Sequence, residues 1–266
     1  MNAKPFLHIV ILINFLIVIT SCHPKEEFDT SSTLKFSTDS IFIDTSFTTV
    51  TTITRVINIY NNSSLPVLIE KIFLGNGSNS MFRFNIDGEP GPVVEDIEIM
   101  AHDSLFLFLN ATIDPNDANT PFIIDDSIIL LVNGKTQKIK LAALGQNAYF
   151  HTPNHPATQY LPAYSIVSGV WNNDKPHVIY GVAVVDEDCT LVIPAGTKVY
   201  MHNDAMLWVY KGGSLKIKGE PNNRVLITSD RLDPYYREQA GMWDRIWLSA
   251  LSKDNEIDWA IIQNGN

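Results

Sequence analysis

The sequence predicts an all-β chain of two units, a β-sandwich followed by a β-solenoid. Three observations carry this expectation. Apolar residues alternate with period two along most of the chain, turn residues punctuate the alternation every few positions, and beyond about residue 180 the strand words recur at a fixed step. Of the 266 residues, 45% are hydrophobic and 18% charged. The charged share lies below the ~25% usual for soluble domains, so neither a disordered tail nor a charged coiled coil fits. Twenty-nine acids against nineteen bases give a net charge of −10. Such a field repels nucleic acid and anionic surfaces, and no nucleic-acid partner is expected. The two cysteines, Cys22 and Cys189, are too few for a disulfide framework.

Residues 1–21 read as a signal peptide, with Met1 and Lys4 ahead of an apolar stretch from Phe6 to Ile19. That stretch is shorter than the ~20 residues that span a bilayer. Ile19-Thr20-Ser21-Cys22 resembles the bacterial lipobox, and the resemblance implies cleavage before Cys22 and lipidation of its thiol. Each buried acyl methylene contributes ~0.8 kcal/mol, so several chains anchor a protein to a membrane without a spanning helix. Loss of Lys4 leaves twenty-nine acids and eighteen bases, a net charge near −11. Residues 22–32 form the tether. Within it, His23-Pro24-Lys25-Glu26-Glu27 reads as a solvated linker or as a run that resembles the surface-export signal of Bacteroidetes lipoproteins. The expected location is the outer membrane, on its periplasmic face or at the cell surface, with Lys25-Glu26-Glu27 favouring the surface. Asp39-Ser40-Ile41, Asp103-Ser104-Leu105 and Asp126-Ser127-Ile128 resemble the O-glycosylation triplet of the same phylum, while Asp-Ser beside a strand is also ordinary turn chemistry.

Residues 33–148 carry the sandwich. The alternating words are Leu34-Lys35-Phe36, Ile41-Phe42-Ile43, Val56 to Tyr60, Val67-Leu68-Ile69, Phe82 to Ile86, Ile97-Glu98-Ile99, Leu105 to Leu109, Ile128 to Val132 and Ile139-Lys140-Leu141. Turn clusters separate them, and Asn133-Gly134 is a strong hairpin signal. Seven to nine short strands in ~115 residues fit an immunoglobulin-like sandwich, and the missing Cys…Trp…Cys pattern excludes the antibody type. The order of Asn61-Asn62-Ser63, Phe82-Arg83-Phe84, Asp114-Pro115 and Asp126 through Gly134 to Gly145 resembles the abnormal-spindle/hydin type of immunoglobulin-like domain. That resemblance implies a spacer or interaction module. Asp114, Asp117, Asp125 and Asp126 can be drawn as a calcium site, since hard cations take several oxygen ligands, but turn-forming acids are the reading preferred, and no metal is expected.

Residues 149–180 read as a linker stiffened by Pro153, Pro156, Pro162 and Pro176. The prolines also forbid a helix that would bring His151 and His155 to one metal. Residues 181–266 carry the repeat: Leu191 recurs at Leu215 and Ile193 at Ile217, a step of 24 residues with glycine at the corners. Val225-Leu226-Ile227, Gly241 to Leu248 and Asn255 to Ile262 supply further strands. Leu191 to Thr197, Gly213-Ser214-Leu215 and Gly241-Met242-Trp243 resemble the opening coils of a right-handed parallel β-helix of the pectin-lyase-like type, as found in Bacteroidetes lipoproteins. Solenoids need capped ends, and Gln263-Asn264-Gly265-Asn266 falls at a corner, so the expectation is a truncated β-helix or one covered by a partner.

No residue constellation identifies a reaction. Enzymes on this scaffold project carboxylates and a basic residue from successive coils. The candidates for such chemistry are Asp230, Asp233 and Asp244, with Arg231 and Arg237, but they read as members of one loop. Tyr235, Tyr236 and Trp243 are the candidate glycan contacts, and Trp208, Tyr210 and Trp247 offer similar flat, amphipathic area. Asp186-Glu187-Asp188 disfavours a thiolate at Cys189, so this cysteine reads as inert. A Gly-rich phosphate loop, a Gly-x-Ser-x-Gly elbow and a Cys-x-x-Cys pair are absent from the sequence, and no cofactor is expected. The expectation is a lipid-anchored, non-catalytic envelope protein that acts by binding or adhesion, with glycans or surface proteins as partners. The alternative is a carbohydrate-active β-helix enzyme, a polysaccharide lyase or hydrolase whose site lies partly on missing coils.

Overall fold

A computed structural model describes residues 27–116, 118–232 and 235–266. The signal peptide, Cys22, Lys25-Glu26, Asp117 and Asp233 lie outside the described residues. Among the described residues no helix is long and apolar enough to cross a membrane.

The first ten strands are β1 (Lys35–Phe36), β2 (Ser40–Phe47), β3 (Arg55–Tyr60), β4 (Val67–Leu74), β5 (Phe82–Ile86), β6 (Glu89–Pro90), β7 (Val93–Ile99), β8 (Ser104–Ala111), β9 (Phe122–Val132) and β10 (Lys135–Gln146). They form two five-stranded sheets, ordered β1-β3-β8-β5-β6 and β2-β10-β9-β4-β7. Alternation in sequence becomes alternation in burial. Ile57, Ile59, Leu107, Leu109, Ile128, Leu130 and Ile139 point into one shared core, while Val56, Phe106 and Phe108 face outward. Asn133 and Gly134, at φ 54° and 67°, turn β9 into β10, and both positive angles are what a two-residue hairpin needs. Asn61 is buried, and its side-chain amide donates to the carbonyls of Leu65, Ile99 and Met100, which ties the loop after β3 to the end of β7. Asp29 fastens the start of the described chain. Its carboxylate accepts from the Ser31 and Ser32 amides and from the Ser32 and Ser63 hydroxyls, and these bonds, led by Ser32 and Ser63, hold its pKa far below the usual carboxylate range.

The Asp-Ser pairs do turn chemistry. Asp103 and Asp126 each accept from the backbone amide of the serine that follows, and Asp39 accepts from the Ser40 hydroxyl. Asp126 further accepts from the Asn76 amide and the Ser80 hydroxyl, so its oxygens brace a turn. Among the described residues no group of three or more His, Cys, Asp or Glu side chains is arranged to hold a metal ion.

Thirteen further strands follow: β11 (Tyr149–His151), β12 (Tyr164–Ile166), β13 (Gly169–Val170), β14 (His177–Ile179), β15 (Val182–Val185), β16 (Thr190–Pro194), β17 (Lys198–Met201), β18 (Met206–Val209), β19 (Ser214–Lys218), β20 (Val225–Ser229), β21 (Arg245–Leu248), β22 (Glu256–Asp258) and β23 (Ala260–Ile262). They build three parallel sheets, β11-β14-β17-β20-β23, β12-β15-β18-β21 and β13-β16-β19-β22. The chain therefore visits the three sheets in turn, one strand each, and every third strand stacks on its predecessor to make the next rung. Leu191 pairs with Leu215 and Ile193 with Ile217, and all four are fully buried in a core of their own. The 24-residue step in the sequence is this register.

Residues 149–180 are not a linker. They supply β14 and the whole first rung, β11, β12 and β13, which pairs with β14, β15 and β16. The strands are only two or three residues long, and Pro153, Pro156, Pro162 and Pro176 fall between them, where no ladder amide is lost. Trp171 covers this end of the inner core. It stacks on His151 and on His177 at centroid distances of 4.5 and 4.1 Å, and the two imidazoles meet at 2.9 Å. His177 also lies 2.8 Å from the Asn172 carbonyl through Nε2. A carbonyl only accepts, so His177 Nε2 carries the hydrogen and its Nδ1 accepts from His151.

The sandwich meets the first of the parallel sheets through Phe47 at the end of β2 and Tyr200 in β17, whose ring centroids are 4.9 Å apart. Clefts open on both sides of this contact.

Candidate functional site

One group of aromatic residues, Tyr164, Trp208, Tyr210 and Trp247, lies along the outer face of the sheet β12-β15-β18-β21. Parallel register places Ile166, Val184, Trp208 and Trp247 in one outward column, because residues aligned in successive rungs point the same way. The Trp208 and Trp247 rings stack at 4.9 Å with planes 7° apart, and Trp208 Nε1 donates to the Ser249 hydroxyl. Tyr210 stands edge-on to Trp208 at 88°. Beside them runs a groove of about 180 Å³ lined by Leu161, Tyr164, Val184, Asp186, Trp208 and Tyr210. Tyr164 is held in place by stacking on His155 at 4.7 Å. Tyr210 and Trp247 are 40% and 47% exposed, which leaves area to stack on a ligand. The carboxylate of Asp186, in the same groove, adds a hydrogen-bond acceptor.

The aromatic residues selected from the sequence divide. Tyr235 is exposed and packs edge-on against Tyr236. Tyr236 supports the Arg231 guanidinium at 4.0 Å. Trp243 is corrected: it is 3% exposed, belongs to the inner core, and its indole N–H donates to the Gln263 carbonyl, so it is a core residue rather than a surface platform.

The acids divide as well. Asp244 pairs with its neighbour Arg245 at 2.7 Å. Asp230 opens its loop but is fixed to the parallel stack. It follows Ser229 at the end of β20, its amide donates to the Met201 carbonyl, and its Oδ2 lies 2.6 Å from Nδ1 of His202. Burial pushes its pKa up, against the opposing pull of His202 and Arg231. Ile179, Met201 and Ser229 pair across β14, β17 and β20, so the residues that follow them, Tyr180, His202 and Asp230, occupy one position on three successive rungs. Burial, with the Asp230 charge second, pushes the Tyr180 phenol up to about 12. Sequence reasoning missed Tyr180 and His202 because their spacing departs from the 24-residue step. Cys189 is a half-buried residue packed against the inner core.

No family model matches the chain, and no curated protein matches it. Solved structures with partial similarity include a protein of unknown function from Porphyromonas gingivalis W83, at 15% identity and a TM-score of 0.31 over 41% of this chain and 45% of that one. A family 123 glycoside hydrolase from Clostridium perfringens aligns at 14% identity and a TM-score of 0.30, over 42% of this chain and 26% of that one. The PapD-like domain 7 of human CEP192 aligns at 10% identity and a TM-score of 0.29, over 47% of this chain and 92% of that one. The chain spans less than half the length of the first two.

Proposed function

We propose that the chain is an envelope lipoprotein, anchored through Cys22, whose sandwich carries a right-handed parallel β-helix of the pectin-lyase-like type, and that it acts by binding glycan on the aromatic flank. The sandwich would be of the abnormal-spindle/hydin kind. The binding reading rests on one observation, the groove in which Tyr164, Trp208 and Tyr210 combine flat apolar area with the Asp186 carboxylate. Sugars present an apolar ring face and a polar rim, and such a groove matches both. The β-helix reading is supported by the three parallel sheets with every third strand stacked, and the anchor by the Ile19 to Cys22 sequence.

Two experiments test this. The full-length chain expressed in a Bacteroidetes host incorporates labelled fatty acid and fractionates with membrane, and Cys22→Ala abolishes both; label that persists in the variant contradicts the anchor. The mature chain is also screened against polysaccharides for retention and for release of reducing ends or unsaturated products. Retention without products is expected. The carbohydrate-active enzyme is a second reading, favoured by Asp230 and Asp44 lining one cleft, and release of products that Asp230→Asn abolishes would establish it instead.

A further inference from the structure

The seam between the two units holds a cleft that the aromatic flank does not use. Its volume is about 250 Å³. One wall is the run from Ile43 to Ile53 of the sandwich, which contributes the Asp44 carboxylate and the hydroxyls of Thr45, Ser46, Thr51 and Thr52. The other wall is the parallel stack, which contributes His202, Asp230 and Arg231. Asp230 is 9% exposed, with Oδ2 committed to His202 and Oδ1 buried without a hydrogen-bond partner. Arg231 Nε and the Tyr180 hydroxyl, next to this pair, are likewise buried and unpartnered. Buried polar groups without partners are few in folded proteins. Asp230 and Arg231, which both line the cleft, thus carry hydrogen-bonding capacity that the chain does not satisfy itself.

The lining also restricts the ligand class. Two carboxylates disfavour an anion, while the guanidinium of Arg231 opposes a cation, and among the described residues no group of three or more His, Cys, Asp or Glu side chains is arranged to hold a metal ion. A neutral molecule rich in hydroxyls fits both, since a hydroxyl can donate to a carboxylate and accept from Arg231. Phe47, Val50 and Leu232 add apolar surface for a ring face. The volume falls just below the ~300 Å³ at which drug-sized pockets begin, which admits one ring and not a chain.

We propose that this seam cleft is a second carbohydrate site, binding a single neutral sugar unit, with Asp44 from the sandwich and His202 and Arg231 from the parallel stack as its polar contacts, and Asp230 holding His202 in place. It rests on the glycan reading for its ligand class alone, and its residues are separate from the flank. The test is ligand-observed saturation-transfer NMR on the mature chain with free glucose, galactose, mannose, fucose and N-acetylglucosamine, followed by titration of the variants Asp44→Asn and His202→Gln. At least one sugar should bind, with affinity about tenfold weaker in each variant, the loss expected for one hydrogen bond to a charged group. Thermal melts establish that each variant folds. Asp44→Asn keeps the side-chain oxygen that accepts from the Thr45 amide, so it carries the test if His202→Gln unfolds. Three results would overturn the proposal: no sugar of the panel binds, binding survives both substitutions unchanged, or binding is lost in Tyr210→Ala, which would place the sugar on the flank. Failure of the panel with polysaccharide still retained leaves the flank reading intact.

Discussion

His151 shows how one side chain ties stability to pH. Burial, reinforced by His177 close by, lowers its pKa to about 4 from the 6.5 of an unperturbed histidine. The unfolded chain therefore binds a proton that the folded chain refuses between those values. The stabilisation is complete above pH 6.5 and is lost as pH falls toward 4, by up to about 3 kcal/mol. Denaturant titrations between pH 7 and pH 4 should show this fall, and His151→Phe, which keeps a ring on Trp171, should flatten it. A slope unchanged in the variant would mean that other groups carry the acid sensitivity. The stack itself was hidden in the sequence. His151, Trp171 and His177 are brought together by the pairing of β11 with β14, and no local spacing encodes that pairing.

At the level of the strand, β19 shows why the parallel stack tolerates so little change on one side and so much on the other. Gly213 precedes it, and a Cβ there would lie 2.5 Å from the Val185 carbonyl oxygen of the rung below. Gly213→Ala should cost about 1–3 kcal/mol, since backbone must move to admit it. Ile217→Ala, in the inner core at 0% exposure, should cost about 2–5 kcal/mol. Lys216→Ala, on the outward face with a surface ion pair to Glu256 at 3.5 Å, should cost under about 1 kcal/mol. Chemical denaturation of the three variants checks the order, and equal losses would contradict the register. This register was legible because Leu191, Ile193, Leu215 and Ile217 stand 24 residues apart on strands of equal length. The column of Tyr180, His202 and Asp230 was not, because its members are 22 and 28 residues apart. The rungs stay aligned while the loops between them vary in length, so a search at fixed step finds the core and passes over the corners. For the same reason the first rung read as a linker: its prolines dominate the local signal, and its strands are too short to alternate.

Across the whole molecule, two cores lie side by side without shared members. Phe47 and Tyr200 join them, and burial pushes the Tyr200 phenol up in pKa. This aromatic contact makes the coupling between units a testable quantity. Calorimetry of the wild-type chain should give one cooperative transition, and Phe47→Ala should separate it into two, because each core retains its own apolar residues. An unsplit transition in the variant would show that the units are coupled elsewhere. The same seam forms the cleft, so loosening it should also weaken the binding of a free sugar. The flank lies on a different sheet of the stack and should keep its polysaccharide. The proposed glycan binding on the flank is tested most directly by titrating a polysaccharide from the retention screen against the mature chain and Tyr210→Ala, whose side chain is 40% exposed. Loss of one stacking ring predicts affinity about tenfold weaker with an unchanged melting temperature. Equal affinity in the two proteins would contradict glycan binding on the aromatic flank.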